Sequence, residues 1–445
     1  MFRSIRFAVI AFLMGTATVN AQTRPNIVMI VSDDQGWTDF GFMGHKHVKT
    51  PHLDKLASQS LLFRRGYVPS SLCSPSLASI ISGKYPSKHK ITGNDPAPAN
   101  SPEFAKAREE MAKLIDGIPT LPRLLGRYGY LSFQSGKWWL GDFLRGGFTH
   151  GMTKGSRHGD DGLTIGRKSM TPIFEFIADA KKQERPFFVW YAPMMPHQPH
   201  NPPKRFLDKY QDKTPSEHVA KYWGMIEWFD ETCGQLLDHL EKEGLAKNTI
   251  VVFVTDNGWI QLPGSQGFGE RSKFSPYEMG HRTPIMIRWL DKAPARESAE
   301  LASSIDFMPT LIKAVGGVVP ADLPGIDLLD DAAVKGRKTI HGECYLHNIL
   351  DLESPARNLL WRWTIDGHWK LIVPRTHGAK GELARIPAEP RLKGALKKSL
   401  ESGAVELYDL ATDPHEEKNL AAAHPERVAA ILRKLDAHWT PTIPR

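Results

Sequence analysis

Three short runs in this chain are apolar with no alternation: Asn26-Ile27-Val28-Met29-Ile30-Val31, Pro186-Phe187-Phe188-Val189-Trp190-Tyr191 and Thr249-Ile250-Val251-Val252-Phe253-Val254. A strand that faces water on one side alternates, so runs of this kind belong to strands covered on both faces. A further strand signal spans Gly129 to Ser135, and helical patterns separate the four: Thr50 to Leu61, Pro119 to Tyr128, Pro172 to Lys181 and Ser216 to Glu243. Strand, loop, helix and strand in repetition predict an α/β fold with a large mixed, mostly parallel sheet sandwiched by helices. Pro284 to Trp289 adds another buried strand, and Ser304 to Val315 another helix. Near residue 340 the pattern changes. Ile365-Asp366-Gly367-His368 reads as an Asp-Gly hairpin turn between apolar strands. A basic segment rich in Gly, Ala and Pro, Thr376 to Gly403, then precedes Glu406 to Leu410 and a helix from Pro425 to Leu435. Residues 22–340 are therefore expected to form the main domain and 341–445 a small antiparallel α+β subdomain.

The N-terminus carries Arg3 and Arg6, an apolar stretch from Phe7 to Val19, and small residues at Val19-Asn20-Ala21. This reads as a signal peptide over residues 1–21, hence an exported protein, periplasmic or secreted. No other run is long enough to cross a membrane, so stable membrane insertion is not expected. The formal charge of +8 suits an anionic substrate, but the basic residues are scattered and none forms a nucleic-acid arm. Among only three cysteines, Cys233 falls on an apolar stripe with Val219, Trp223, Ile226, Phe229, Leu236 and Leu240. It is expected in the core, with no disulfide framework.

Ligands of parallel sheets bind beyond the carboxyl ends of the strands. The four strand ends here run into Asp33-Asp34, Lys137-Trp138-Trp139, Pro196-His197-Gln198-Pro199-His200 and Asp256-Asn257. Adjacent carboxylates repel unless they are solvated or share a cation. Asp33, Asp34, Asp256 and Asn257 offer only hard oxygens, and with no paired Cys or His at zinc spacing the expected ion is Ca²⁺ or Mg²⁺. Prolines stiffen the segment holding His197 and His200. Leu144 to Arg167, with Arg157 and His158, is long enough for a binding loop. Trp139 and its neighbours suit a sugar platform or core packing equally.

The remaining signal is Ser70 to Pro86, where Cys73 sits among small polar residues ahead of a helical pattern, Ser76 to Ser82, closed by Gly83. A helix N-terminus there would favour a thiolate or an oxyanion on a modified cysteine; a small hydrophobe capping a turn is the other reading. Cys73-Ser74-Pro75-Ser76 followed by Gly83-Lys84-Tyr85-Pro86 resembles the maturation signature of the formylglycine-dependent sulfatases of the alkaline-phosphatase-like superfamily. The resemblance extends from Arg24 to about Leu420. It implies conversion of Cys73 to formylglycine by a maturation enzyme, and Asp33, Asp34, Asp256 and Asn257 as ligands of a metal that also touches residue 73. It further implies Lys137 and Lys273 as sulfate-binding lysines and His197 as the donor of a proton to the leaving oxygen. Three positions depart from the family pattern. Leu77 replaces an Arg, Trp139 replaces a histidine that serves as base in many relatives, and Glu278-Met279-Gly280-His281-Arg282 replaces Glu-Gly-Gly-x-Arg. His158 and His89 both stand as substitutes for the base. The expectation is a sulfuric ester hydrolase acting on a sulfated carbohydrate, with Lys137, Lys273, Trp139, Arg157 and His158 against the substrate. A phosphoryl hydrolase of the same superfamily and a sulfated-glycan binding protein without turnover are the alternatives.

Overall fold

The computed structural model describes residues 24–97 and 101–443; the signal-peptide reading of residues 1–21 lies outside them. The main sheet has eight strands: β1 Asn26–Ser32, β2 Leu61–Tyr67, β3 Leu131–Gly136, β4 His150–Gly151, β5 Phe187–Ala192, β6 Thr249–Thr255, β7 Arg282–Arg288 and β8 Arg296–Ser303. Their spatial order is β4-β3-β5-β1-β6-β7-β2-β8. Only β7 runs against the others, antiparallel to both β6 and β2. The remaining ladders are parallel.

The two faces of β1 explain its unbroken apolar run. Ile27, Met29 and Val31 pack with Leu77, Ile80, Ile81 and Trp190 on one side of the sheet. Val28 and Ile30 pack with Met225, Phe229, Cys233 and Leu236 of the helix Glu217–Lys242 on the other. Cys233 is thus a core residue, and all three cysteines are free.

Three strands of the main sheet gave no sequence signal: the two-residue β4, inside the expected loop Leu144 to Arg167, and β2 and β8. Leu61, expected on the apolar face of the first helix, opens β2 instead: the helix Pro51–Ser58 stops short, and Leu61 to Phe63 pair with Ile285 to Ile287. Tertiary pairing here overrides a local helical period. The edge strand β8, RESAELAS, shows no apolar run because its first half is solvent-exposed.

A second sheet follows, entirely antiparallel: β9 Thr339–Tyr345, β10 Leu359–Asp366, β11 Trp369–Pro374 and β12 Glu406–Asp409, in that order. The boundary expected at residue 340 falls inside β9. The hairpin is shifted by one residue from its reading: Asp366 pairs with Trp369, so Gly367, at φ 64°, and His368 form the loop. Helix Pro425–His438 closes the outer face with Ile431 and Leu435 on Leu371, Val373 and Leu407.

The two sheets are tied by a buried charge cluster. Lys370 of β11 places Nζ 3.0 Å from Glu278 Oε1 and 2.9 Å from Glu416 Oε1. Tyr67 donates to Glu278 Oε2 at 2.9 Å, and the Glu278 N–H donates to Glu416 Oε2 at 2.6 Å. Removing the cation leaves two carboxylates facing each other out of water. Lys370→Met is expected to cost about 3–5 kcal/mol, read as a lowered urea midpoint. A midpoint within error of the parent would show that the cluster adds nothing to stability.

Candidate functional site

The carboxyl ends of β1, β3, β5 and β6 open on one end of the sheet, and their following residues meet there. Cys73 enters as the first residue of helix Cys73–Ser82, whose left-handed C-cap is Gly83 at φ 67°. Lys273 comes from the long segment between β6 and β7. The turn after β6 is tight: a Cβ on Gly258 would lie 1.9 Å from the Met279 carbonyl.

Two ammonium groups converge on Cys73. Lys137 Nζ stands 3.0 Å and Lys273 Nζ 3.1 Å from Sγ. Each lysine also holds a carboxylate, Lys137 to Asp33 Oδ1 at 2.5 Å and Lys273 to Asp34 Oδ1 at 2.6 Å and Oδ2 at 2.8 Å. Burial nevertheless pushes the Cys73 thiol up to about 12, outweighing both cations. Burial of the unmodified residue thus works against the thiolate that a helix N-terminus favours.

Asp33, Asp34 and Asp256 are buried, and their oxygens lie within 4.8 Å of one another. Asp34, with φ 60°, turns its N–H onto Asp256 Oδ1 at 3.1 Å, and the Asn257 N–H donates to the same oxygen at 2.7 Å. Asn257 Nδ2 donates to Asp34 Oδ1 at 2.7 Å. Three buried oxygens have no hydrogen-bond partner: Asp33 Oδ2, Asp256 Oδ2 and Asn257 Oδ1. Burial, reinforced by the negative charge of Asp33, pushes Asp256 up to about 7. Burial acts the same way on Asp34, but Lys273, His197 and Lys137 outweigh it and hold that carboxyl well below the usual range. Fully ionised, the three carboxylates outnumber the two lysines, and the upward push on Asp256 marks the missing positive charge that a further cation would supply. Unpartnered hard oxygens from these residues fit Ca²⁺ or Mg²⁺.

The segment after β5 is fastened to β1: the Asp33 N–H donates to Met195 O at 3.0 Å. Arg167 donates to His197 O at 3.1 Å. His197 Nδ1 lies 2.7 Å from Gln198 O, so that nitrogen carries the hydrogen, and Nε2 stands 3.4 Å from Asp34 Oδ2. Burial, with Lys137 adding to it, pushes this imidazole down to about 3. His200 is buried against Tyr222 and Trp259, with neither ring nitrogen partnered.

Trp139 is 2% exposed and presents no platform to a sugar. It backs two other residues instead. The Arg157 guanidinium lies 4.6 Å from its ring centroid, and the His158 ring meets it edge-on at 4.3 Å. Asp95 fixes Arg157 through contacts of 2.7 to 3.1 Å and also pairs with Arg108 at 2.9 Å. His158 stands 6.0 Å from the His197 ring, with Nε2 2.8 Å from Arg157 NH1. His89 sits elsewhere, its nitrogens taken by Ser79 Oγ at 3.0 Å and the Ile91 N–H at 3.1 Å. Of the two substitutes for the base, only His158 lies against the site. Leu77 is buried in the core, so this position sends no charge toward Cys73.

Sequence reasoning passed over Asn94 and Asp95, which stand beside a Pro- and Ala-rich loop. Asn94 Oδ1 accepts the Ser74 N–H at 2.9 Å. An isolated Asn-Asp pair before a proline carries no sign of that.

The family model described as "Sulfatase" matches residues 25–318. The N-acetylgalactosamine-6-sulfatase of Canis lupus familiaris is 28% identical over 375 residues, covering 73% of this chain and 69% of that protein. The N-acetylgalactosamine-6-O-sulfatase of Bacteroides thetaiotaomicron is 24% identical, covering 93% of each. Among solved structures, the putative sulfatase yidJ from Bacteroides fragilis superposes with a TM-score of 0.74 at 22% identity, covering 95% of this chain and 97% of that one.

Proposed function

The chain belongs to the sulfatase family, and from that premise we propose that it removes an O-sulfate group from a carbohydrate, with Cys73 converted to formylglycine by a maturation enzyme. The observation that carries this reading is the pair of ammonium groups within 3.1 Å of Cys73 Sγ beside a buried carboxylate excess. Relatives named N-acetylgalactosamine-6-sulfatase support a sugar sulfate as the ester. Export through residues 1–21 belongs to the same reading; among the described residues no helix is long and apolar enough to cross a membrane.

Sγ stands where the attacking oxygen of the matured residue belongs. Once present, Ca²⁺ or Mg²⁺ held by Asp33, Asp34, Asp256 and Asn257 supplies positive charge to the sulfate oxygens, and the hydrated formylglycine supplies the nucleophile. Lys137 and Lys273 donate hydrogen bonds to the same sulfate and stabilise charge as the S–O bond breaks in a pocket with little water. With its Nδ1 hydrogen held by Gln198 O, His197 acts through Nε2, which has to take up a proton, favoured by the negative charge of a bound sulfate ester, before passing it to the departing sugar oxygen. His158, set against Trp139, is the nearer of the two candidates for the base of the second step, and to serve there its Nε2 would have to exchange the Arg157 guanidinium for the proton it takes. Arg157, anchored by Asp95, forms the rim on that side.

Mass spectrometry of the Gly66 to Lys84 peptide, from protein produced with a competent maturation enzyme, is expected to show an aldehyde at position 73. A sulfated sugar should be turned over and its phosphorylated counterpart should not. Full activity from protein whose peptide carries only free thiol would overturn the mechanism.

A further inference from the structure

The basic segment Thr376 to Gly403 takes no part in the site described so far. It borders a cavity of about 590 Å³ lined by Phe268, Glu270, Phe274, Asn348, Arg391 and Lys393. This cavity shares a wall with the Cys73 pocket. Phe274 directly follows Lys273, and its N–H donates to Ser71 O at 2.9 Å. Asn348 pairs with Asp95, the residue that grips Arg157. Its neighbour His347 has Nε2 3.3 Å from Asn94 Nδ2, and Asn94 in turn accepts the Ser74 N–H.

The cations here are deliberately placed. Glu389, its side chain 4% exposed, accepts the His347 N–H at 3.1 Å and holds Arg391 NH1 at 3.2 Å. One contact of that kind orients the guanidinium and leaves most of its five N–H groups free. Lys393 is exposed beside it. The acidic lining residue, Glu270, turns Oε2 to the Ala395 N–H at 3.0 Å at the start of helix Gly394–Ser402, and the two cations outnumber it. Phe268 and Phe274 give the cavity an apolar side against which a sugar ring packs.

We infer that this cavity is a second anion-binding subsite, taking a sulfate or carboxylate on the sugar next to the one being desulfated. The inference rests on the sulfatase reading and narrows the substrate class to a polyanionic oligosaccharide, with Arg391 and Lys393 as the recognising groups.

Calorimetry on the matured, metal-loaded protein tests it. The probes are chondroitin 6-sulfate, heparin and λ-carrageenan tetrasaccharides, each against the sulfated monosaccharide it contains. At least one tetrasaccharide is expected to bind more tightly than its monosaccharide. Arg391→Ala combined with Lys393→Ala should lower that tetrasaccharide's affinity about tenfold, the worth of one or two charge-assisted hydrogen bonds. Arg391→Lys with Lys393→Arg should restore most of it, which a merely structural role would not. If no tetrasaccharide exceeds its monosaccharide, or the double alanine variant keeps the advantage, the subsite does not exist. Nitrophenyl sulfate turnover by the parent preparation tests the sulfatase reading separately.

Discussion

Asp256→Ala protein is expected to fold, to purify without its divalent ion, and to lose sulfate ester hydrolysis by at least about 10³-fold, the several kcal/mol a bound cation contributes to such a reaction. Asp256 Oδ1 is occupied by two backbone N–H groups, while Oδ2 accepts no hydrogen bond and has Lys137 Nζ 3.7 Å away, so the residue couples a fixed turn to an open ligand position. With the carboxylate gone, two lysines face two carboxylates, and the excess charge that draws a cation disappears. Elemental analysis reads the ion and circular dichroism the fold. Stoichiometric zinc in active parent protein would refute the choice of ion. Full ion content in the variant would move the ligand role away from Asp256.

His197→Ala should split two substrates. A sugar alkoxide is a poor leaving group, and a positioned proton donor is worth about 10² to 10⁴-fold on it. A nitrophenolate leaves without help. With Nδ1 tied to Gln198 O, Nε2 is the nitrogen that exchanges protons, and it lies on the Asp34 side of the site. The variant should therefore be crippled on a sulfated sugar and little changed on nitrophenyl sulfate, with its metal content intact. Equal and small losses would reduce His197 to packing. Equal and severe losses would make it a sulfate-binding group and pass the acid role to His200, whose ring nitrogens are buried without partners.

Much of this arrangement was legible in the chain because strand ends in a parallel sheet point one way. Asp33-Asp34, Lys137 and Asp256-Asn257 follow directly from apolar runs, so their meeting required only the topology. Lys273 and Cys73 belong to loops and a helix start, and were placed through a motif resemblance rather than through periodicity. What escaped notice depends on contacts between distant segments. β2 is held by β7 and β8, each more than 200 residues away in sequence. The clamp of Asp95 on Arg157 joins two loops with no pattern of their own. Trp139 misled for a related reason: a tryptophan after a strand end reads alike whether it faces solvent or, as here, underlies an arginine.

Cys73 is 1% exposed, enclosed by two lysines and the start of its own helix. No enzyme active site can close around a side chain in that position. Any catalyst that is to oxidise it has to meet the nascent polypeptide while Gly66 to Lys84 is still extended. If Cys73 is matured as proposed, maturation and folding are competing processes on one chain, and the rate at which helix Cys73–Ser82 docks sets the time allowed. Slower synthesis, lower temperature or a destabilised β2 should each raise the yield of converted protein, and a thiol once enclosed stays a thiol until the chain unfolds.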